Sequence, residues 1–164
     1  MHKNRLNIGK MWPIPHKGSK YVAVSSHNVN SSIPLVIIMR DILHLVQTQK
    51  ELKKILKEKQ ISVNKKEVRD THFPIELFDK LSFGGKSYEV RYSKFKKFTL
   101  VEIPEKTSLT KTYKILNKKI LPGGKTQINL LGGKNILTTK KVNVGDSVVI
   151  SFLDNRIVSV LPLE

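Results

Sequence analysis

Four lysines recur at helical spacing, Lys50, Lys53, Lys54 and Lys57, and they define the chemistry most open to this chain. Ammonium groups three and four residues apart lie on one face of a helix, where they repel one another unless an anion lies across them. Phosphate is the anion that a row of point charges fits best. Arg40, Lys65, Lys66 and Arg69 add cations on either side of that helix, and Lys3, Arg5, Lys10 and Lys17 add more near the start, interleaved with Trp12. The other reading of the stripe is a solvated lysine face on a small α/β domain. Catalytic chemistry has little to work with. His2, His16, His27, His44 and His72 are not at metal-ligand spacing, and there is no cysteine to supply a thiolate. The Gly-Gly-Lys turns at 84–86 and 123–125 lie between strands, whereas a nucleotide-binding loop leads from strand to helix. Asp41, Asp70, Asp79 and Asp146 sit at capping or turn positions without a close carboxylate pair. No cofactor and no metal is expected.

The elements that must position the lysines are short. Ser32-Ile33-Pro34 reads as a serine cap and an early proline, opening a helix in which Leu35, Ile38, Met39, Ile42, Leu45 and Val46 form an apolar face. Thr48 and Glu51 form a capping box that starts the second helix, the one that carries the lysines over a narrow Leu52, Ile55 and Leu56 stripe. Ile61–Val63 alternates as a strand, Asn64-Lys65 turns it, and a strand at 80–83 follows Asp79. Beyond a boundary placed near Gly84 the pattern is β throughout. Strands are expected in 87–103, 113–121, 126–131, 134–139, 147–151 and 156–161, separated by glycine turns, which suggests a small barrel or barrel-like sheet. The fold class is therefore α+β in three parts: a basic Pro/Gly-rich arm (1–30), a helix–strand domain (31–83) and a small all-β domain (84–164).

Charge decides the partner class. Thirty Lys and Arg against thirteen Asp and Glu give the 164-residue chain a formal net charge of +17. Such a surplus destabilises a free compact protein and is relieved by phosphates. A hydrophobic content of 39% argues for folding. Only Arg5, Arg40, Arg69, Arg91 and Arg156 are arginines, so the weight falls on backbone and shape contacts, not bidentate base contacts. The longest apolar run, Leu35–Met39, is far too short to span a bilayer; no membrane partner is expected, and a cytoplasmic location follows. The prolines of the arm forbid a long helix, so the arm is expected to be mobile in the free protein and to order on RNA. Trp12 either stacks on a base or pins the arm to the protein's own core.

Two short helices with a basic second one, a Val-Asn turn and a strand closing after an Asp resemble the alpha-L RNA-binding fold named after small-subunit ribosomal protein S-four. Where that fold usually has glycine, this chain has Lys59 and Lys65. Lysine at positive φ costs about 1 kcal/mol relative to glycine, so a widened turn is expected. The resemblance extends further. His2, Arg5-Leu6, Lys10, Trp12, Ile14 and Lys17, then Ser32–Leu35 with Arg40-Asp41, are similar to the opening of the archaeal and eukaryotic S-four-e family. Lys114, Asn117-Lys118, Gly123–Lys125, Gln127, Asn129-Leu130, Gly133–Leu137, Gly145-Asp146 and the closing Leu161–Glu164 continue it through the β half. The resemblance implies a structural constituent of the small ribosomal subunit, not an enzyme, bound to small-subunit ribosomal RNA among neighbouring ribosomal proteins and not a homo-oligomer. Family members usually continue into a C-terminal KOW module, which this sequence is expected to lack. The alternatives are an accessory alpha-L factor in RNA modification or ribosome rescue, or a nucleotide-using enzyme.

Overall fold

The computed structural model describes residues 3–104, 109–152 and 154–163; His2 and Glu164, which contribute to the family resemblance, lie outside them. The chain divides into two compact units, Met1–Ser108 and Leu109–Glu164, each with its own core.

The first unit begins with β1 (Lys3–Asn4) paired to β2 (Tyr21–Val22), so the arm folds back on itself. It is packed against the domain, where the sequence reading expected a mobile arm. Trp12 is buried, with Ile8, Met11, Ile14, Val22 and Ala23 packed around the same core, and the Phe98 amide donates to the Met11 carbonyl at 2.8 Å. The proline content that forbids a helix does not forbid docking, because six apolar side chains of the arm find buried surface while Leu6 and Tyr21 stay exposed. β3 (Ile33–Pro34) pairs with β6 (Pro74–Ile75), and α1 (Leu35–Ile37) passes directly into a wide π turn over Ile38–Ile42.

This is shorter than the helix that the apolar spacing predicts, and it starts differently. Ser32 is not its cap: the Ser32 hydroxyl donates to the Asn28 carbonyl at 2.8 Å and lies in hydrogen-bond contact with Ser25 Oγ at 2.9 Å, where the Ser25 hydroxyl can donate. The first helical amides, of Leu35 and Val36, donate instead to the carbonyls of Phe73 and Thr71. Every residue from Ile33 to Met39 is buried, so the segment is surrounded by core and not amphipathic. Packing on all sides, not surface propensity, then sets its backbone.

α2 (Gln49–Lys57) has the predicted capping box, with Thr48 Oγ1 accepting from the Glu51 amide at 3.3 Å. A five-stranded antiparallel sheet follows in the order β5 (Lys66–Glu67), β4 (Ile61–Val63), β7 (Lys80–Phe83), β8 (Lys86–Tyr92), β9 (Phe98–Ile103). Strands β8 and β9 thus complete this sheet, and the compact units divide about two dozen residues after Gly84, where the sequence pattern changes. The change of pattern marks where helices end; backbone pairing across the Gly84-Gly85 turn marks where the unit ends.

The second unit is a five-stranded antiparallel half-barrel in the order β12 (Asn135–Thr138), β11 (Thr126–Leu130), β10 (Thr110–Ile120), β13 (Ser147–Ser151), β14 (Ile157–Leu161). β10 serves both halves: Thr110–Lys114 pairs with β13, and Ile115–Ile120 with β11 beyond a bulge at Leu116. Such a bulge bends a strand and increases its twist. Tyr113, Ile115, Ile128, Leu130, Val148, Ile150 and Ile157 fill the concave side.

Candidate nucleic-acid interface

The lysine stripe exists as the spacing requires. Leu52 and Leu56 are buried, Ile55 is half-buried, and Lys50, Lys53, Lys54 and Lys57 are all exposed along α2. The capping box fixes where that helix starts and hence which side the lysines present. Glu51, the one carboxylate in the first turn, is committed to the cap. The Gln47 backbone amide and the Thr48 hydroxyl hold its carboxyl below the ordinary glutamate range. It remains an acceptor at neutral pH and competes for the free amides of that helix end.

Three residues after α2, β4 runs into the Asn64-Lys65 turn. The turn is not widened: Val63 pairs with Lys66 across two residues, and both Asn64 (φ 52°) and Lys65 (φ 62°) are left-handed. Lys59 is left-handed as well, at φ 56°. What holds the hairpin tip is Asn64, whose side-chain amide donates to Asp79 Oδ1 at 2.7 Å while its Oδ1 accepts from the Lys80 amide at 3.0 Å. Asp79 Oδ2 in turn accepts from the Glu76 amide. The sequence signal of a Val-Asn turn and a strand opening after Asp is therefore a hydrogen-bonded clamp between β4 and β7. It leaves Lys65, Lys66 and Arg69 exposed on the edge. Lys59 pairs with Glu67 at 3.3 Å, joining the end of α2 to β5, so stripe and hairpin belong to one piece of structure.

The remaining predicted residues divide. Lys10 and Lys17 are exposed. Trp12 is only 5% exposed and cannot stack on a base; of the two readings, packing against the core is the one realised, because its ring closes the first unit's core. Lys3 lies over that ring, its Nζ 5.5 Å from the centroid. Arg5 is half-buried and bonded within the arm, donating to the Ser19 and Pro15 carbonyls and to Ser19 Oγ at 2.8–3.0 Å. Its guanidinium closes the arm. Arg40 is half-exposed and forms a two-point pair with Asp41, both contacts at 2.9 Å. That hydrogen bond raises its pKa against the opposing effect of burial, and its charge is largely neutralised in place.

The sequence reading missed a second basic surface. On the open side of the half-barrel, a groove of about 470 Å³ is lined by Lys125, Ile136, Thr138, Lys140, Arg156 and Ile157, among others. Lys140 Nζ donates to the Ile157 carbonyl at 3.1 Å and Lys134 Nζ to Asn155 Oδ1 at 2.7 Å, so side chains bridge where strand pairing stops. These residues are dispersed over the sequence and only the curl of the sheet brings them together. Among the described residues, no three His, Asp or Glu side chains converge as a metal site would require.

Residues 84–157 match the profile of ribosomal family S4e. The chain is 36% identical to the small ribosomal subunit protein eS4 of Methanospirillum hungatei, over 99% of this chain and 70% of that protein. It is 34% identical to the eS4 protein of Methanosphaera stadtmanae with the same coverage. The crystal structure of the 30S ribosomal protein S4e from Thermoplasma acidophilum superposes with a TM-score of 0.70 at 28% identity, covering 82% of this chain and 70% of that one. Nearly the whole chain, through both compact units, aligns with about 70% of each relative, and the chain therefore belongs to ribosomal family S4e.

Proposed function

We propose that this chain is a structural constituent of the small subunit of the cytoplasmic ribosome and that it binds small-subunit ribosomal RNA directly. Residues 31–83 act in this reading as an alpha-L module, and neighbouring ribosomal proteins complete its surroundings. Its role is architectural and not enzymatic, in keeping with its family. The observation that carries direct RNA binding is the α2 stripe: four exposed ammonium groups on one face of a helix whose start is pinned by a capping box. Lys65, Lys66 and Arg69 extend it at the hairpin, and Lys10 and Lys17 extend it from the arm. Lys3, Arg5, Trp12 and Arg40 contribute by shaping that surface, since each already has a partner within the protein. Affinity comes from the number of phosphates neutralised, through release of counterions.

The test is a titration of small-subunit ribosomal RNA transcript with the full chain across a range of salt. Replacing Lys50, Lys53, Lys54 and Lys57 together by glutamine is expected to flatten the log–log salt dependence by about one for each phosphate no longer neutralised. Single replacements are expected to change affinity little. An unchanged slope in the fourfold variant would remove α2 from the interface.

A further inference from the structure

The β8–β9 hairpin carries a feature that the lysine stripe does not account for. Tyr92 pairs with Phe98 at its base, and the loop Ser93-Lys94-Phe95-Lys96-Lys97 closes it. The loop is held by its own backbone: the Ser93 amide donates to the Lys97 carbonyl at 2.8 Å, the Lys96 amide to the Ser93 carbonyl at 2.9 Å, and the Phe95 amide to Ser93 Oγ at 3.3 Å. Lys96 takes the left-handed conformation, φ 57°, that closes the turn. At the tip of this fixed loop Phe95 is 84% exposed. Among the described residues no other ring packs on it, whereas Tyr92 and Phe98 lie against each other at 5.0 Å.

Turn tips ordinarily carry Gly, Asn, Asp or Ser, each of which eases the backbone or bonds to it. Phenylalanine does neither. It is also flanked by three exposed lysines, Lys94, Lys96 and Lys97, with no acidic residue in the loop. Lysine is depleted at protein–protein interfaces, whereas an aromatic face between cations matches a base and the phosphates beside it. A base offers its face to a side chain where RNA is unpaired, in loops, bulges and ends.

We propose that Phe95 stacks on an unpaired base of RNA while Lys94, Lys96 and Lys97 hold the adjoining phosphates. The inference rests on the RNA-binding reading above and adds to it a base contact on a different element of the first unit. The three lysines stand together in the sequence, but the exposure of Phe95 is visible only once β8 and β9 are paired.

The full chain is titrated with in vitro transcribed small-subunit ribosomal RNA at fixed salt, as wild type, Phe95→Ala, Phe95→Trp and the fourfold α2 lysine variant. Phe95→Ala is expected to bind about five- to a hundredfold more weakly, the range for loss of one stacked base. Its salt slope and melting temperature are expected to stay unchanged, and Phe95→Trp to restore affinity. Ultraviolet crosslinking of the wild-type complex is expected to leave a nucleotide adduct on Phe95. If Phe95→Ala binds as wild type while the fourfold variant is weakened, the stacking inference is overturned and the RNA-binding reading stands. If Phe95→Ala binds RNA as wild type yet is lost from assembled subunits, the partner is a protein and the inference is equally overturned. If the wild-type chain itself fails to bind, both fall.

Discussion

Two lysines in left-handed backbone illustrate how much a single residue can cost in this protein. Lys59 and Lys65 stand at φ 56° and 62°, where a side chain is disfavoured by about 1 kcal/mol relative to glycine. Lys65→Gly is expected to raise stability in urea by about that amount, since Asn-Gly suits a two-residue turn with both residues left-handed. Lys59→Gly is expected to gain less, because it also gives up the exposed pair with Glu67. A fall in stability for Lys65→Gly would show that its side chain has interactions worth more than the strain. Glu89 lies at the opposite extreme, buried between β7 and β9 and bonded to Lys80 and Arg91. Burial pushes its carboxyl up, but the hydrogen bonds and charges of Lys80 and Arg91 more than offset this and leave it below the ordinary value of 4.5. A lowered native value means that the carboxylate's contribution is complete above pH 4.5 and is lost as pH falls through the lowered value. Glu89→Gln is expected to remove that part of the acid sensitivity. It is also expected to cost about 3 kcal/mol at neutral pH, by leaving Lys80 buried without its counter-charge, measurable as a shift of the urea midpoint.

Among elements, α2 is set by a local signal and α1 is not. Thr48→Ala is expected to cost about 1 kcal/mol by opening the capping box, and the loss is expected to appear first as faster amide exchange in the first turn of α2. Because the Glu51 carboxyl is likewise held below its ordinary range, the cap is complete above that range and weakens as pH falls through the lowered value. Amide exchange in α2 compared at pH 6 and pH 3 is expected to show this in the wild type and not in Glu51→Gln. The same spacing logic predicts a regular first helix through Val46, yet the chain turns into a π segment at Ile38. There the i, i+3, i+4 pattern is incidental, for Ile33 to Met39 are apolar and buried on every side, and periodicity carries no information about a segment that is entirely surrounded.

At the scale of the molecule, a charge of +17 is held together by two small cores. Stability is therefore expected to rise with salt, as self-repulsion is screened, even while RNA affinity falls. The arm belongs to the first core. Hydrogen exchange on the free protein is expected to find the amides of Arg5 and Trp12 protected, since they donate to the carbonyls of Lys20 and Gly9. Trp12→Ala is expected to cost about 3 kcal/mol and to abolish that protection. Rapid exchange of both amides in the wild type would mean that the arm docks only on RNA.

The sequence by itself determined the elements whose signals are local. The capping box placed α2, period-two alternation placed β4, β7 to β9 and the strands of the second unit to within a few residues but missed the short pairs β1–β2 and β3–β6 and the edge strand β5, and Gly-Gly pairs placed turns such as that at Gly84-Gly85, where both residues are left-handed. Composition determined the partner class, because net charge does not depend on how the chain folds. Tertiary structure decided which cations remain available. Arg5 is a cation like any other in the sequence, and only its hydrogen bonds to Pro15 and Ser19, ten and fourteen residues away, occupy its guanidinium within the arm. Tertiary structure alone also buried Trp12, carried the first unit past Gly84 to β9, and assembled Lys125, Lys140 and Arg156 around one groove. The physical reason is the same in each case. Hydrogen bonding within a turn is settled by neighbours in the chain, whereas burial is a competition among all apolar and polar groups of the molecule at once.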